Sequence, residues 1–128
     1  MSDLLLDTHT LLWWVSDDER LSSGARSAIS TAAHVVASDV SLWELTVKAS
    51  VGKIQLDPSS AEWFEHHTTR SRFRELPITR RHLVDLASLP LQHRDPFDRL
   101  LIAQARVENL TLVSGDSEIA KYDVRTIW

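Results

Sequence analysis

Four acidic residues fall where short apolar runs give way to helical segments, or inside those segments. They are Asp7 after Leu4-Leu5-Leu6, Glu44 in Ser41-Leu42-Trp43-Glu44, Asp98 in Asp95-Pro96-Phe97-Asp98, and Asp116 after Thr111-Leu112-Val113. In an open α/β sheet such junctions lie at the carboxyl ends of the strands, where ligands bind. Carboxylates gathered there repel one another unless a divalent cation sits among them. The spacing therefore points to metal-dependent hydrolysis rather than to a plain binding domain. Hard oxygen donors, with no cysteine and no His-x-x-x-His pair, favour magnesium or manganese over zinc.

Taken singly, most of these acids have an ordinary structural use. Asp7 reads as a helix N-cap, accepting from orphan N–H groups. Asp95-Pro96-Phe97-Asp98 resembles a capping box, and both charges suit the helix dipole; the cap falls to Asp95. Asp116 would cap a short helix. Glu44 differs, because it falls inside a helix. An i,i+4 pair with Lys48 returns only a few tenths of a kcal/mol, less than the cost of an acid turned back among apolar neighbours. The joint occurrence of all four, at edges that parallel strands bring together, carries the reading. His9 reads as packing or surface, and His66, His67 and His93 as solvent-facing.

Other chemistries lack their signatures. There is no Gly-x-x-x-x-Gly-Lys-Ser/Thr loop and no Gly-x-Ser-x-Gly elbow, and with 3 glycines a phosphate-cradling loop does not fit. Asp7-Thr8-His9-Thr10 is similar to an aspartyl-phosphate hydrolase start, but His9 stands where a second aspartate is needed.

The elements that must position the acids follow from apolar spacing and punctuation. Strands are expected at 4–6, 34–37, 73–78, 111–113 and 124–127. Helices are expected at 8–15, after Ser22 or Ser23, from Ser38 or Asp39 to about Ser50 or Val51, after Ser59 or Ser60, after Thr79, and from Pro96 towards Asn109. Gly52 is placed to end the third helix in the left-handed conformation. Strands alternating with helices predict an α/β fold, a mainly parallel sheet of about five strands covered on both faces.

The 128 residues, 43% hydrophobic and 25% charged, suit one domain, 1–128, with a real core. No apolar run approaches the roughly 18 residues that span a bilayer, and no leader-like segment precedes Leu4, so a cytoplasmic protein is expected. The absence of cysteine excludes disulfides and thiolate metal sites. A formal net charge of -4 is wrong for holding nucleic acid by phosphate contacts alone, so such a role needs local positive charge. Arg70, Arg72 and Arg74, then Arg80, Arg81 and His82, then His93 and Arg94 are the candidates, each otherwise a solvated face. Trp13, Trp14, Trp43 and Trp63 are many large aromatics for this size, at least two of them core.

Leu4-Leu5-Leu6-Asp7-Thr8-His9, Ser41-Leu42-Trp43-Glu44-Leu45, the block from His93 to Ala105 and Leu112-Val113-Ser114-Gly115-Asp116 resemble PIN-domain proteins, in order and over nearly the whole chain. Within that family the chain most resembles the VapC-type toxins of bacterial toxin–antitoxin pairs. The resemblance implies a three-layer α/β/α fold and a magnesium- or manganese-dependent endoribonuclease. It carries the catalytic and metal-binding set onto Asp7, Glu44, Asp98 and Asp116, with Asp7 and Asp98 nearest the metal. Thr8, Asp95 and Ser114 would support them, Ser114 standing where relatives commonly carry threonine. Lys48 or Arg99 would steady the transition state. The resemblance further implies an RNA substrate, a cognate antitoxin and a homodimer; unpaired loops are the expected target, because they let the strand enter a narrow cleft. The alternative is a catalytically idle PIN-like module that binds RNA or protein.

Overall fold

The computed structural model describes residues 3–93 and 95–128. Five strands, β1 (Leu4–Leu6), β2 (Val35–Ser38), β3 (Arg74–Leu76), β4 (Thr111–Val113) and β5 (Thr126–Ile127), form one sheet in the order β3-β2-β1-β4-β5. Every pairing is parallel; β1 is central, with Leu5 opposite Val36 on one side and Leu112 on the other. Among the described residues six α-helices lie between β1 and β4: α1 (Thr8–Val15), α2 (Ser23–Thr31), α3 (Asp39–Ser50), α4 (Ser60–Arg70), α5 (Arg80–Ser88) and α6 (Pro96–Val107).

Because side chains alternate across a strand, the three inner strands β2, β1 and β4 feed both faces of the sheet. Leu4, Leu6, Val35, Ala37 and Val113 pack against Leu11 of α1, Ala25 and Ile29 of α2 and Phe64 of α4. Leu5, Val36 and Leu112 pack against Val40 of α3 and the buried face of α6, Leu100 to Ala105. The result is the expected three-layer α/β/α arrangement. Leu101 is fully buried at the centre of the second layer. Leu101→Ala is expected to cost about 2–5 kcal/mol, read as a lower midpoint in urea unfolding.

Local chemistry sets the helix starts. Ser22 accepts from the Ala25 N–H at 3.0 Å, Ser38 from Val40 at 2.9 Å and Ser59 from Glu62 at 3.2 Å, each satisfying an orphan donor of the first turn. Gly52 has φ +76°, the left-handed conformation glycine adopts without a Cβ clash. Two strands are shorter than the apolar runs suggest. β3 stops before Pro77, which has no N–H for the ladder, and Val124 N–H turns back to the Tyr122 carbonyl at 2.8 Å instead of joining β5. Among the described residues no helix is long and apolar enough to cross a membrane.

Candidate metal centre

The chain runs from β1 outward to β2 and β3, then crosses to the other side of β1 for β4 and β5. The switch point therefore lies between β1 and β4, and the crevice beyond their carboxyl ends is where an open α/β sheet takes its ligand. Asp7 follows β1 and Asp116 lies three residues beyond β4. The Asp7 N–H donates to the Val113 carbonyl at 3.2 Å, and the Thr10 hydroxyl donates to the same oxygen at 3.0 Å. These bonds dock the start of α1 onto the end of β4 and bring the two acids to one cleft.

That cleft has a volume of about 590 Å³ and is lined by Asp7, Asp95, Asp98 and Asp116, with His93 among them. Asp95 is the N-cap of α6, its Oδ1 accepting from Phe97 N–H at 2.9 Å and Asp98 N–H at 3.0 Å. With Asp95 holding the backbone, the Asp98 side chain is left free to face the cleft. Asp7 does both jobs: its Oδ1 accepts from Thr10 N–H at 2.8 Å while it lines the site. Ser114 accepts from the Asp116 N–H at 3.1 Å, and Asp116 itself accepts from Glu118 N–H at 2.9 Å.

Glu44 stands apart from this lining. It is 3% exposed on α3, with Oε2 2.5 Å from Lys48 Nζ and Oε1 buried without a hydrogen-bond partner. Trp43 meets Phe97 edge to face at 4.6 Å between ring centres, which ties α3 to the start of α6. Glu44 is thereby close enough for its charge to act on Asp98. Thr8 is buried and donates to Ser41 at 3.0 Å, so its hydroxyl braces α1 against α3.

His93 is a correction to the sequence reading. It is not a solvent-facing residue: its ring lies in the cleft, Nε2 at 2.9 Å from Asp98 Oδ2 and 3.4 Å from Asp116 Oδ2. Its place in a polar loop ahead of the helix that Pro96 starts carries no periodicity that would have marked it. His82 is also not part of a solvated basic face. It is fully buried, accepting from Thr79 N–H at 3.0 Å and donating to Glu108 at 2.8 Å. Arg99 donates to the Leu89 carbonyl at 3.3 Å and so braces the loop that carries His93. Arg94 lies outside the described residues.

Burial pushes the Asp98 carboxyl up to about 7; the hydrogen bond from His93 opposes the shift, and the charges of Asp95, Asp7 and Glu44 add to it. Burial works against the charged form of His93. The hydrogen bond to Asp98 and the charges of Asp98, Asp116 and Asp95 outweigh it, and the imidazole is raised above its ordinary range. Both groups thus hold protons more tightly in the folded chain than in the unfolded one. Stability from this pair is present below about pH 4 and lost as pH rises through about 7. In chelator, thermal melting should show the chain gaining stability on acidification from about pH 8 to about pH 5, and saturating magnesium or manganese should shrink the difference. An Asp98→Asn variant showing the same pH dependence would refute the origin assigned to it.

His93, Asp98 and Asp116 each offer a ligand atom, and these atoms lie within 4.8 Å of one another, close enough to share one cation. Carboxylate oxygens with a single imidazole, a further buried carboxylate oxygen left unpaired on Glu44, and no thiolate form a set that fits a hard divalent ion.

Comparison with known proteins identifies the family and the fold. The PIN domain family pattern matches residues 4–125. The chain is 30% identical over 123 residues to Ribonuclease VapC22 of Mycobacterium tuberculosis, covering 95% of this chain and 93% of the relative. The fold is shared with VapBC2 from Rickettsia felis, solved with a DNA fragment from its promoter. There the TM-score is 0.70 at 14% identity, over 97% of this chain and 96% of that one. DNA-bound VapBC from Salmonella typhimurium superposes with a TM-score of 0.69 at 16% identity, over 98% of this chain and 97% of that one. A match that spans nearly every residue, on a sheet of this order, places the protein in the PIN-domain family, among its VapC-type members.

Proposed function

We propose that this protein is a divalent-metal-dependent endoribonuclease, the toxin of a VapBC-type pair, and that residues 1–128 act as one PIN domain in the cytoplasm. The observation that carries the reading is the convergence of Asp7, Asp98, Asp116 and His93 on one cleft at the sheet's switch point. Asp98, Asp116 and Asp7 would hold the cation directly or through water, and Glu44 would complete the set from behind. Bound magnesium or manganese supplies Lewis-acid polarisation of a phosphoryl oxygen and a lowered pKa for water.

The chain's own groups prepare that site. Asp95 takes over the capping of α6, so Asp98 is not consumed by its own helix. Lys48 neutralises one oxygen of Glu44, which lowers the repulsion the other acids feel. The N-termini of α1 and α6 both open at the cleft, and their dipoles favour anionic groups there. A cation at the acids reverses the local field, so a pocket on a chain of net charge -4 accepts an anionic backbone. The relatives solved as VapBC complexes support an antitoxin partner, and a homodimer is part of the same proposal.

A magnesium or manganese titration of cleavage of an unpaired RNA tests the proposal. Activity should rise from nothing in chelator to saturation, and Asp7→Asn should lose about a hundredfold or more. Undiminished metal-dependent cleavage by that variant, or metal-independent cleavage by the natural chain, would overturn the assignment. RNA retained without cleavage at any metal concentration would instead favour the idle binding module.

A further inference from the structure

We propose that the aromatic wall of the same cleft, Trp128 with His9 and Trp13, is a stacking subsite for one unpaired nucleobase of the RNA. The inference rests on the ribonuclease reading above and adds how the strand is gripped beside the carboxylates.

The cleft has two chemically different sides. Lining it together with Asp7, Asp98 and Asp116 are His9, Trp13, Trp128 and Arg20. None of these four was singled out by sequence as part of the site, because Trp128 is far in sequence from the others and only β5 returns it to the cleft.

Trp128 is seated rather than loosely placed. A Cβ at Gly115 would stand 2.7 Å from indole Cε2 and 3.1 Å from Cδ2, and a Cβ at Gly24 would stand 2.8 Å from the Trp128 carbonyl oxygen. No ordinary side chain tolerates such contacts, so two of the chain's 3 glycines make room for this one residue. Gly115 is the chain neighbour of Asp116, which puts the indole beside the backbone that carries a candidate metal ligand.

Trp128 is nevertheless not sealed off from solvent. Its ring lies over Gly115, meets Trp13 at 5.9 Å between ring centres with a 59° tilt, and Trp128 remains 38% exposed. His9 is exposed and stacks on Trp13 at 5.5 Å with the planes only 22° apart. The Arg20 guanidinium stands 5.1 Å from the Trp13 ring centre. Flat aromatic surface fixed in place, with an arginine beside it, is how unpaired nucleic acid is held without sequence readout, since every base offers a π-face. A phosphate drawn to the acids through a cation would carry its attached base into the same cleft as this wall.

The test is cleavage kinetics on a short unpaired RNA and on the same RNA with one base removed at a time. In the natural chain one abasic position should stand out, lowering kcat/KM by on the order of tenfold, mainly through KM. Trp128→Ala should lower kcat/KM on the intact RNA to a similar degree and make the abasic series flat; Trp128→Phe should recover most of the loss. His9→Ala, a change at an exposed position, gives a second reading should Trp128→Ala fail to fold, and it should reduce the same abasic effect. Circular dichroism and melting identify that failure. If the natural chain cleaves RNA but the abasic series is already flat, or is unaltered by the variants, the subsite is refuted while the ribonuclease reading stands. If Trp128→Ala spares RNA kinetics and instead lowers recovery of the copurifying antitoxin, the wall is a protein contact and the inference is equally refuted. If the natural chain cleaves no RNA with magnesium or manganese, the ribonuclease reading itself falls and takes the subsite with it.

Discussion

Asp98→Asn should lower metal-dependent RNA cleavage by about a thousandfold and, in the same protein, raise the stability of the metal-free chain. Both effects have one cause. Asp98 faces the cleft among Asp7, Asp95 and Glu44, with burial as the main force raising its carboxyl to about 7. At a higher pH the ionised form is held against that force, so folding works against it. Asparagine keeps the shape, keeps its backbone N–H on the Asp95 cap, and removes the charge. The gain in chelator near pH 8 should be about 1–3 kcal/mol, given about 1.4 kcal/mol per pKa unit and a weakened bond to His93. Urea unfolding with and without magnesium measures one effect and RNA cleavage the other. A variant that loses activity and also loses stability in chelator would show that Asp98 is part of the scaffold, not a charge held ready for a cation.

The second large effect belongs to a residue that touches none of the acids. The buried Tyr122 hydroxyl accepts from Gln92 N–H at 3.2 Å and from His93 N–H at 2.8 Å, and donates to the Pro90 carbonyl at 2.9 Å. One oxygen thus closes the loop that presents His93 to Asp98 and Asp116. Tyr122→Phe leaves the packing of the ring but strands three backbone groups, for a cost of about 2–4 kcal/mol. Tyr122 is a positioning residue, and its loss should also weaken metal affinity about tenfold, the scale expected when the orienting partners of a ligand are removed. The His93 imidazole resonances should move away from those of the paired ring. A variant with reduced stability but unchanged metal titration and unchanged His93 resonances would leave Tyr122 a purely structural clamp.

Much of the site was legible because its logic is local. Asp95-Pro96-Phe97-Asp98 separates a capping acid from a free one within a single turn, and the structure assigns the cap to Asp95. Glu44 could be singled out because an acid inside a helix has no cap to serve. Its predicted Lys48 pair is present, and one oxygen is still left over. The placement of the helices followed from serine, threonine and aspartate caps, whose partners are two or three residues away. The strands were less legible at their ends, where Pro77 and the turn at Tyr122 decide the pairing.

His93, Tyr122 and Trp128 could not be read in this way. Their partners lie 5, 29–32 and 13 or more positions away, across loops whose paths depend on packing. A histidine in a polar loop has no periodicity to mark it, and an aromatic residue near a strand reads as core whichever way it points. By itself the sequence determined the layers, the parallel sheet and which acids stand at strand-to-helix junctions, because apolar period and helix capping are short-range effects. Only the tertiary structure decided which acids share a cleft, that Glu44 stands behind it, that a histidine sits among the carboxylates, and that Trp128 lines the same cleft. Those relations depend on the order β3-β2-β1-β4-β5, which brings distant segments to one edge and which no local pattern encodes.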